Sequence, residues 1–130
     1  MESADITGKD SRKYLIVDDH AGFRRTIRAF LPRGDVCECA DGRDVVARYT
    51  EEHPDWVLMD IEMRDMDGLT ATRHLKEQFP EARVIFVSHH GEDDFKIAAR
   101  DLGAYGFVKK DHLEELAAII IDGDMDRRKP

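Results

Sequence analysis

Short, wholly apolar runs recur along this chain, separated by amphipathic stretches. Tyr14-Leu15-Ile16-Val17, Trp56-Val57-Leu58-Met59 and Val84-Ile85-Phe86-Val87 are apolar at every position. A strand that is apolar on both faces must be covered on both, as in a parallel sheet with helices on either side. Two weaker runs, Val36 to Ala40 and Tyr105-Gly106-Phe107-Val108, fall between the same kinds of stretch.

The intervening segments carry helical periodicity. Phe23, Ile27, Phe30 and Leu31 form one apolar stripe, and Val45, Val46 and Tyr49 a shorter one. Leu69, Thr72, Leu75 and Phe79 form a third, stopped by Pro80, because proline cannot continue a helix. Phe95, Ala98, Ala99 and Leu102 lead to Gly103, a C-terminal cap. Leu113, Leu116, Ala117 and Ile120 close the series, and Asp111 with Glu114 reads as a capping box. A strand–helix unit repeated five times predicts an α/β fold: a (βα)5 doubly wound parallel five-stranded sheet. The expected strand order is 2-1-3-4-5, with right-handed crossovers. A chain of 130 residues makes one domain. It is placed at 13–122, between flexible segments at 1–12 and 123–130.

In such a sheet, ligands bind beyond the carboxyl ends of the strands, near the point where the strand order reverses. The residues there are Asp18 and Asp19 after the first run, Asp60 after the third, Ser88 after the fourth, and Lys109 or Lys110 after the fifth. Each alone would be an ordinary turn or cap residue. Together they put three carboxylates at one edge with a hydroxyl and a lysine. Clustered carboxylates repel, and a hard divalent ion such as Mg2+ offsets them. A carboxylate beside such an ion and a lysine is a nucleophile for a phosphoryl group. The spacing of His20, His89 and His90 fits no common zinc pattern.

These stretches resemble the receiver domain of two-component response regulators, the CheY-like superfamily with its flavodoxin-like fold. The resemblance is carried by Leu15-Ile16-Val17-Asp18-Asp19-His20, by Asp60-Ile61-Glu62-Met63-Arg64-Asp65-Met66-Asp67-Gly68, by Val87-Ser88, and by Gly103-Ala104-Tyr105-Gly106-Phe107-Val108-Lys109-Lys110. It covers residues 13 to 122 and implies a role for each matching position. Asp60 would be the phosphoacceptor. Asp19 and Asp60 would ligate Mg2+ directly, Asp18 through water, and Glu62 through its backbone carbonyl. Ser88 would move toward the phosphoryl group and Phe107 would turn inward with it. Lys110 matches the family lysine, and Lys109, one position early, is assigned to the surface. Arg64 and Asp111 stand where many relatives have proline, and Asp111 leans toward receivers of regulators with helix-turn-helix outputs. His89, where a small residue is usual, is expected to narrow access to Asp60. Glu62 and His90 occupy positions that tune loss of the phosphoryl group.

The implied partners are a sensor histidine kinase or a histidine phosphotransfer protein. An output domain or effector would be reached through the face of the fourth helix, fifth strand and fifth helix, and phosphorylation could drive homodimer formation. The protein is then a signalling receiver, not an enzyme beyond its own phosphorylation and dephosphorylation. A net charge of −8 argues against nucleic acid binding by this chain. No long apolar run or apolar leader occurs, so the expected location is cytoplasmic, with Cys37 and Cys39 as reduced thiols. Two other readings are a phosphorylation-independent interaction module and an aspartyl-nucleophile Mg2+ phosphohydrolase, the second with Glu62 as its second acid. The sequence leaves the output open: a stand-alone receiver or the front part of a longer regulator.

Overall fold

A computed structural model describes residues 12 to 128 of the chain, with side chains to residue 126. Strands β1 (Lys13–Val17), β2 (Asp35–Cys39), β3 (Trp56–Asp60), β4 (Val84–Ser88) and β5 (Gly106–Lys109) alternate with helices. The helices are α1 (Ala21–Phe30), α2 (Val45–Glu52), α3 (Gly68–Gln78), α4 (Asp93–Asp101) and α5 (Leu116–Arg128). All four strand pairings are parallel and the order is β2-β1-β3-β4-β5, as the alternation predicts.

Every residue of β3 and β4 is buried, and so are Tyr14 to Val17 of β1. Side chains alternate across a strand, so these runs feed two separate cores. Leu15, Val17, Val57, Met59, Val84 and Phe86 pack with Val45 and Tyr49 of α2, Leu75 of α3 and Ala99 of α4. Tyr14, Ile16, Trp56, Leu58, Ile85 and Val87 pack with Ile27 of α1 and with Leu116 and Ile120 of α5. The helices therefore cover one face as a group of three and the other as a pair.

Three expectations need correction. Phe30 does not complete the α1 stripe: it is exposed, and Leu31, just past the helix, packs inward instead. Asp111 and Glu114 form no capping box. His112 takes the N-terminal position of a short 3-10 turn over Leu113–Glu115, without a side-chain cap, and Asp111 is an exposed turn residue. Residues 123–128 are not a loose tail, because α5 continues to Arg128. Gly123 there lies against the Trp56 indole, where an added Cβ would come within 2.5 Å of the ring. Of the segment 1–12 expected to be flexible, all but Arg12 lies outside the described residues. Gly103 does take the left-handed conformation of a helix terminator, with φ at +80°. Both cysteines are free thiols, raised above their usual range first by burial. Among the described residues no helix is long and apolar enough to cross a membrane.

Candidate functional site

The strand ends place the polar residues. Asp60 closes β3 and Ser88 closes β4, and both are buried. Asp18 lies one residue past β1 and Lys110 one past β5, and both are buried as well. Lys110 Nζ donates to Asp18 Oδ2 at 2.9 Å and stands 3.5 Å from Asp60 Oδ2. One ammonium from the end of β5 thus joins carboxylates at the ends of β1 and β3, with β4 lying between. Lys109, paired in register with Ser88, goes elsewhere: its side chain lies over Gly91.

Backbone groups fix the rest. The Asp18 carboxylate accepts from the His20 N–H at 2.8 Å, and Asp60 Oδ1 from the Glu62 N–H at 3.3 Å. The His90 N–H donates to Ser88 Oγ at 3.1 Å, and the Lys110 N–H to the Ser88 carbonyl at 2.8 Å. Helix α3 begins hard against Asp60. A Cβ on Gly68 would come within 2.0 Å of the Asp60 carbonyl oxygen, so only glycine fits that approach.

Burial, and then the neighbouring Asp18 carboxylate, push the Asp60 carboxyl up to about 6, against the opposing pull of Lys110 and the Glu62 N–H. Charge is therefore under-compensated here. Asp19 adds to this. Its side chain is only 9% exposed, and its Oδ1 is buried and accepts no hydrogen bond, although His20 Nδ1 stands 3.0 Å away. Asp19 Oδ2 accepts from the Arg64 N–H at 3.2 Å. The ligating atoms of Asp18, Asp19 and His20 lie within 4.8 Å of one another. An orphaned carboxylate oxygen among oxygen-rich neighbours fits a hard divalent cation.

The remaining expected residues surround this centre. Glu62 is exposed and its Oε1 lies 3.2 Å from His90 Nε2, so the two positions read as tuning residues face each other. His90 Nδ1 also lies 3.4 Å from Glu92. Phe107 is half-buried against the α2–α4 core and lines a cavity of about 130 Å3 with Lys96, Ala99, Arg100 and Ala104. His89 is exposed and helps line a cavity beside Asp19 and Lys110.

The sequence matches the response regulator receiver domain family over residues 14–121. This chain belongs to that family. The receiver is 38% identical over 103 residues to the chemotaxis protein CheY of Bacillus subtilis, covering 77% of this chain and 86% of that protein. It is 35% identical over 102 residues to the response regulator protein VraR of Staphylococcus aureus, covering 75% of this chain. It spans about half of that relative, 49% of its length. Among solved structures it resembles a LuxR-family two-component response regulator from Aurantimonas sp. SI85-9A1. That likeness has a TM-score of 0.76 and 29% identity, covering 92% of this chain and 88% of the other. The family is one of signalling regulators, and its receivers bind Mg2+ in general.

Two contacts escaped the reading of the sequence. Phe23 reads as a core residue of α1, yet Lys110 Nζ sits 4.2 Å from its ring centroid. Arg64 reads only as a departure from the proline of many relatives, yet its N–H holds Asp19. Neither has a sequence signal, since both depend on how distant loops meet.

Proposed function

We propose that this receiver accepts a phosphoryl group on Asp60 and relays the event as a change of its surface. The observation that carries the reading is the Lys110 ammonium shared by Asp18 and Asp60 in a buried cleft. A phosphoryl group on Asp60 would bring oxygens to a lysine already in place, so little reorganisation is needed.

An Asp60 oxygen attacks phosphorus as the bond to the donor breaks. Lys110 holds one phosphoryl oxygen, and the Ser88 hydroxyl donates to another. Asp19 and Asp60 would hold Mg2+ directly, Asp18 through water and Glu62 through its carbonyl. When bound, the ion supplies charge neutralisation at the phosphoryl oxygens. Water later cleaves the acyl phosphate, with Glu62 and His90 at the mouth. Self-catalysed gain and loss of this group are the only reactions the chain carries out.

The modification adds about 1.5 to 2 negative charges. It biases an equilibrium in which Ser88 moves toward the phosphoryl group and Phe107 turns into the cavity behind it. The face of α4, β5 and α5 then changes shape. A sensor histidine kinase or phosphotransfer protein donates the group in the cytoplasm. An effector or output domain reads that face, and a phosphorylated homodimer is one form of output. Likeness to LuxR-family regulators favours transcription as the process controlled.

The test is direct. The protein is incubated with Mg2+ and acetyl phosphate and its mass is measured. The wild type should gain one phosphoryl group and Asp60→Ala should gain none. No gain in the wild type, with no Mg2+ binding, overturns the reading. Multiple-turnover hydrolysis of small phosphate esters would instead favour a phosphohydrolase.

A further inference from the structure

Two atoms of one residue face the Asp19 carboxylate. The Arg64 N–H donates to Oδ2 at 3.2 Å, and Arg64 Nε stands 3.7 Å from the same oxygen. The side chain is 86% exposed, so its charge is screened and contributes little. The N–H is different, because it belongs to a loop whose ends are fixed. The Glu62 N–H donates to Asp60 at 3.3 Å, and the Gly68 N–H to the Ile61 carbonyl at 2.7 Å. The gap between Asp19, Asp41 and that loop is only about 30 Å3, room for little more than a water. Anchored through Oδ2, the carboxylate keeps Oδ1 buried and without a hydrogen bond. His20 Nδ1 stands 3.0 Å from Oδ1, but that ring is 77% exposed and can turn into water.

We propose that the Arg64 N–H is a positioning donor that holds Asp19 with Oδ1 presented to a divalent cation, and so tightens Mg2+ binding. The inference rests on the reading of the strand-end acids as an Mg2+ site. A carboxylate free to rotate loses part of its binding energy in becoming ordered. One already hydrogen-bonded through its other oxygen does not. Oδ2 serves the loop and Oδ1 is left for the ion, so the two partners do not compete. The proline usual at this position has no N–H to give. Arginine here therefore makes a contact that proline cannot make from the same backbone atom.

The test compares Arg64→Pro, which removes the N–H and the side chain, with Arg64→Ala, which removes the side chain alone. Mg2+ dissociation constants of the full chain are measured by calorimetry, with urea unfolding in the absence of the ion to show that each variant is folded. Arg64→Pro should bind Mg2+ at least about tenfold more weakly than Arg64→Ala, the scale of a lost outer-shell partner. Constants within about twofold of each other overturn the proposal. Amide hydrogen exchange of the metal-free protein tests the same bond without proline. The Arg64 N–H should exchange at least about tenfold faster in Asp19→Ala than in the wild type. Equal rates also overturn the proposal, whatever Arg64→Pro does to folding. A wild type that binds no Mg2+ removes the metal reading and the role of Arg64 with it. A wild type that binds Mg2+ while the two Arg64 variants match leaves the metal reading intact and removes only that role.

Discussion

Lys110 and Asp18 are 92 residues apart in sequence, yet their side chains make a buried ion pair of 2.9 Å. The same ammonium stands 3.5 Å from Asp60, so removing it strands two buried carboxylates at once. Lys110→Ala should lower metal-free stability by about 3 kcal/mol, the usual cost of an unpaired buried charge. Saturating Mg2+ should restore part of that loss. Urea unfolding with and without the ion measures both. Labelling of Asp60 by acetyl phosphate should fall at least about tenfold, because the lysine contact to the phosphoryl group is gone.

Asp60→Asn should stabilise the metal-free protein. The folded carboxyl is raised to about 6, above its unfolded value near 4. A raised acid favours folding while protonated and loses that contribution as pH rises through about 6. At neutral pH the charged Asp60 therefore opposes folding by about 2–3 kcal/mol. The asparagine variant should melt higher at pH 7 and show a flatter stability profile between about pH 4 and 6. A variant that melts lower at pH 7 would refute this.

At the opposite end of the sheet, Asp124 accepts from Arg12 at 2.6 Å, the Trp56 indole N–H at 3.1 Å and Arg83 at 3.2 Å. Burial raises its carboxyl, but these donors outweigh it and hold the group below its ordinary value. A depressed acid stabilises the fold above its unfolded pKa and stops doing so as pH falls through the folded one. Asp124→Asn should cost about 1–2 kcal/mol at pH 7 and make the acid limb below about pH 4 shallower. Trp56 fluorescence, read during acid titration, follows the same anchor.

Gly68→Ala puts a Cβ within 2.0 Å of the Asp60 carbonyl oxygen. Backbone cannot yield as a flexible side chain does, so α3 must shift. The variant should lose at least about 2 kcal/mol in urea unfolding. Gly22→Ala, where the new Cβ meets nothing within 4 Å, is its control.

His89→Ala should quicken acetyl phosphate labelling of Asp60, because the exposed imidazole stands at the cavity beside Lys110. An unchanged rate measured by mass would show that its bulk is no obstacle.

The strands and the site were legible for one reason. The apolar runs of β1, β3 and β4 end at the polar residues, and parallel register brings those ends together. Ser88 needed no further information, whereas the strand ends left Lys109 and Lys110 both open and only the family resemblance chose Lys110. The extent of α5 was not legible, because Asp122, Gly123 and Asp124 read as a polar terminus. Only the packing of Gly123 on Trp56, and the donors converging on Asp124, explain the extra helix. Phe30 misled because its spacing suits the α1 stripe, while the chain bends away and lets Leu31 fill the place. The contact of Lys110 with Phe23 joins the two ends of the domain, beyond any local pattern.

The span between Asp18 and Lys110 also has a kinetic meaning. Contacts so distant in sequence form only after a large loop has closed, which slows folding of parallel sheets. The first carboxylates are synthesised early, but the lysine that completes their setting belongs to the last strand. A chain still emerging, or one whose β5 edge has opened locally, holds the acids without the ammonium between them. Competence to take the phosphoryl group is therefore itself a report that the domain has finished folding.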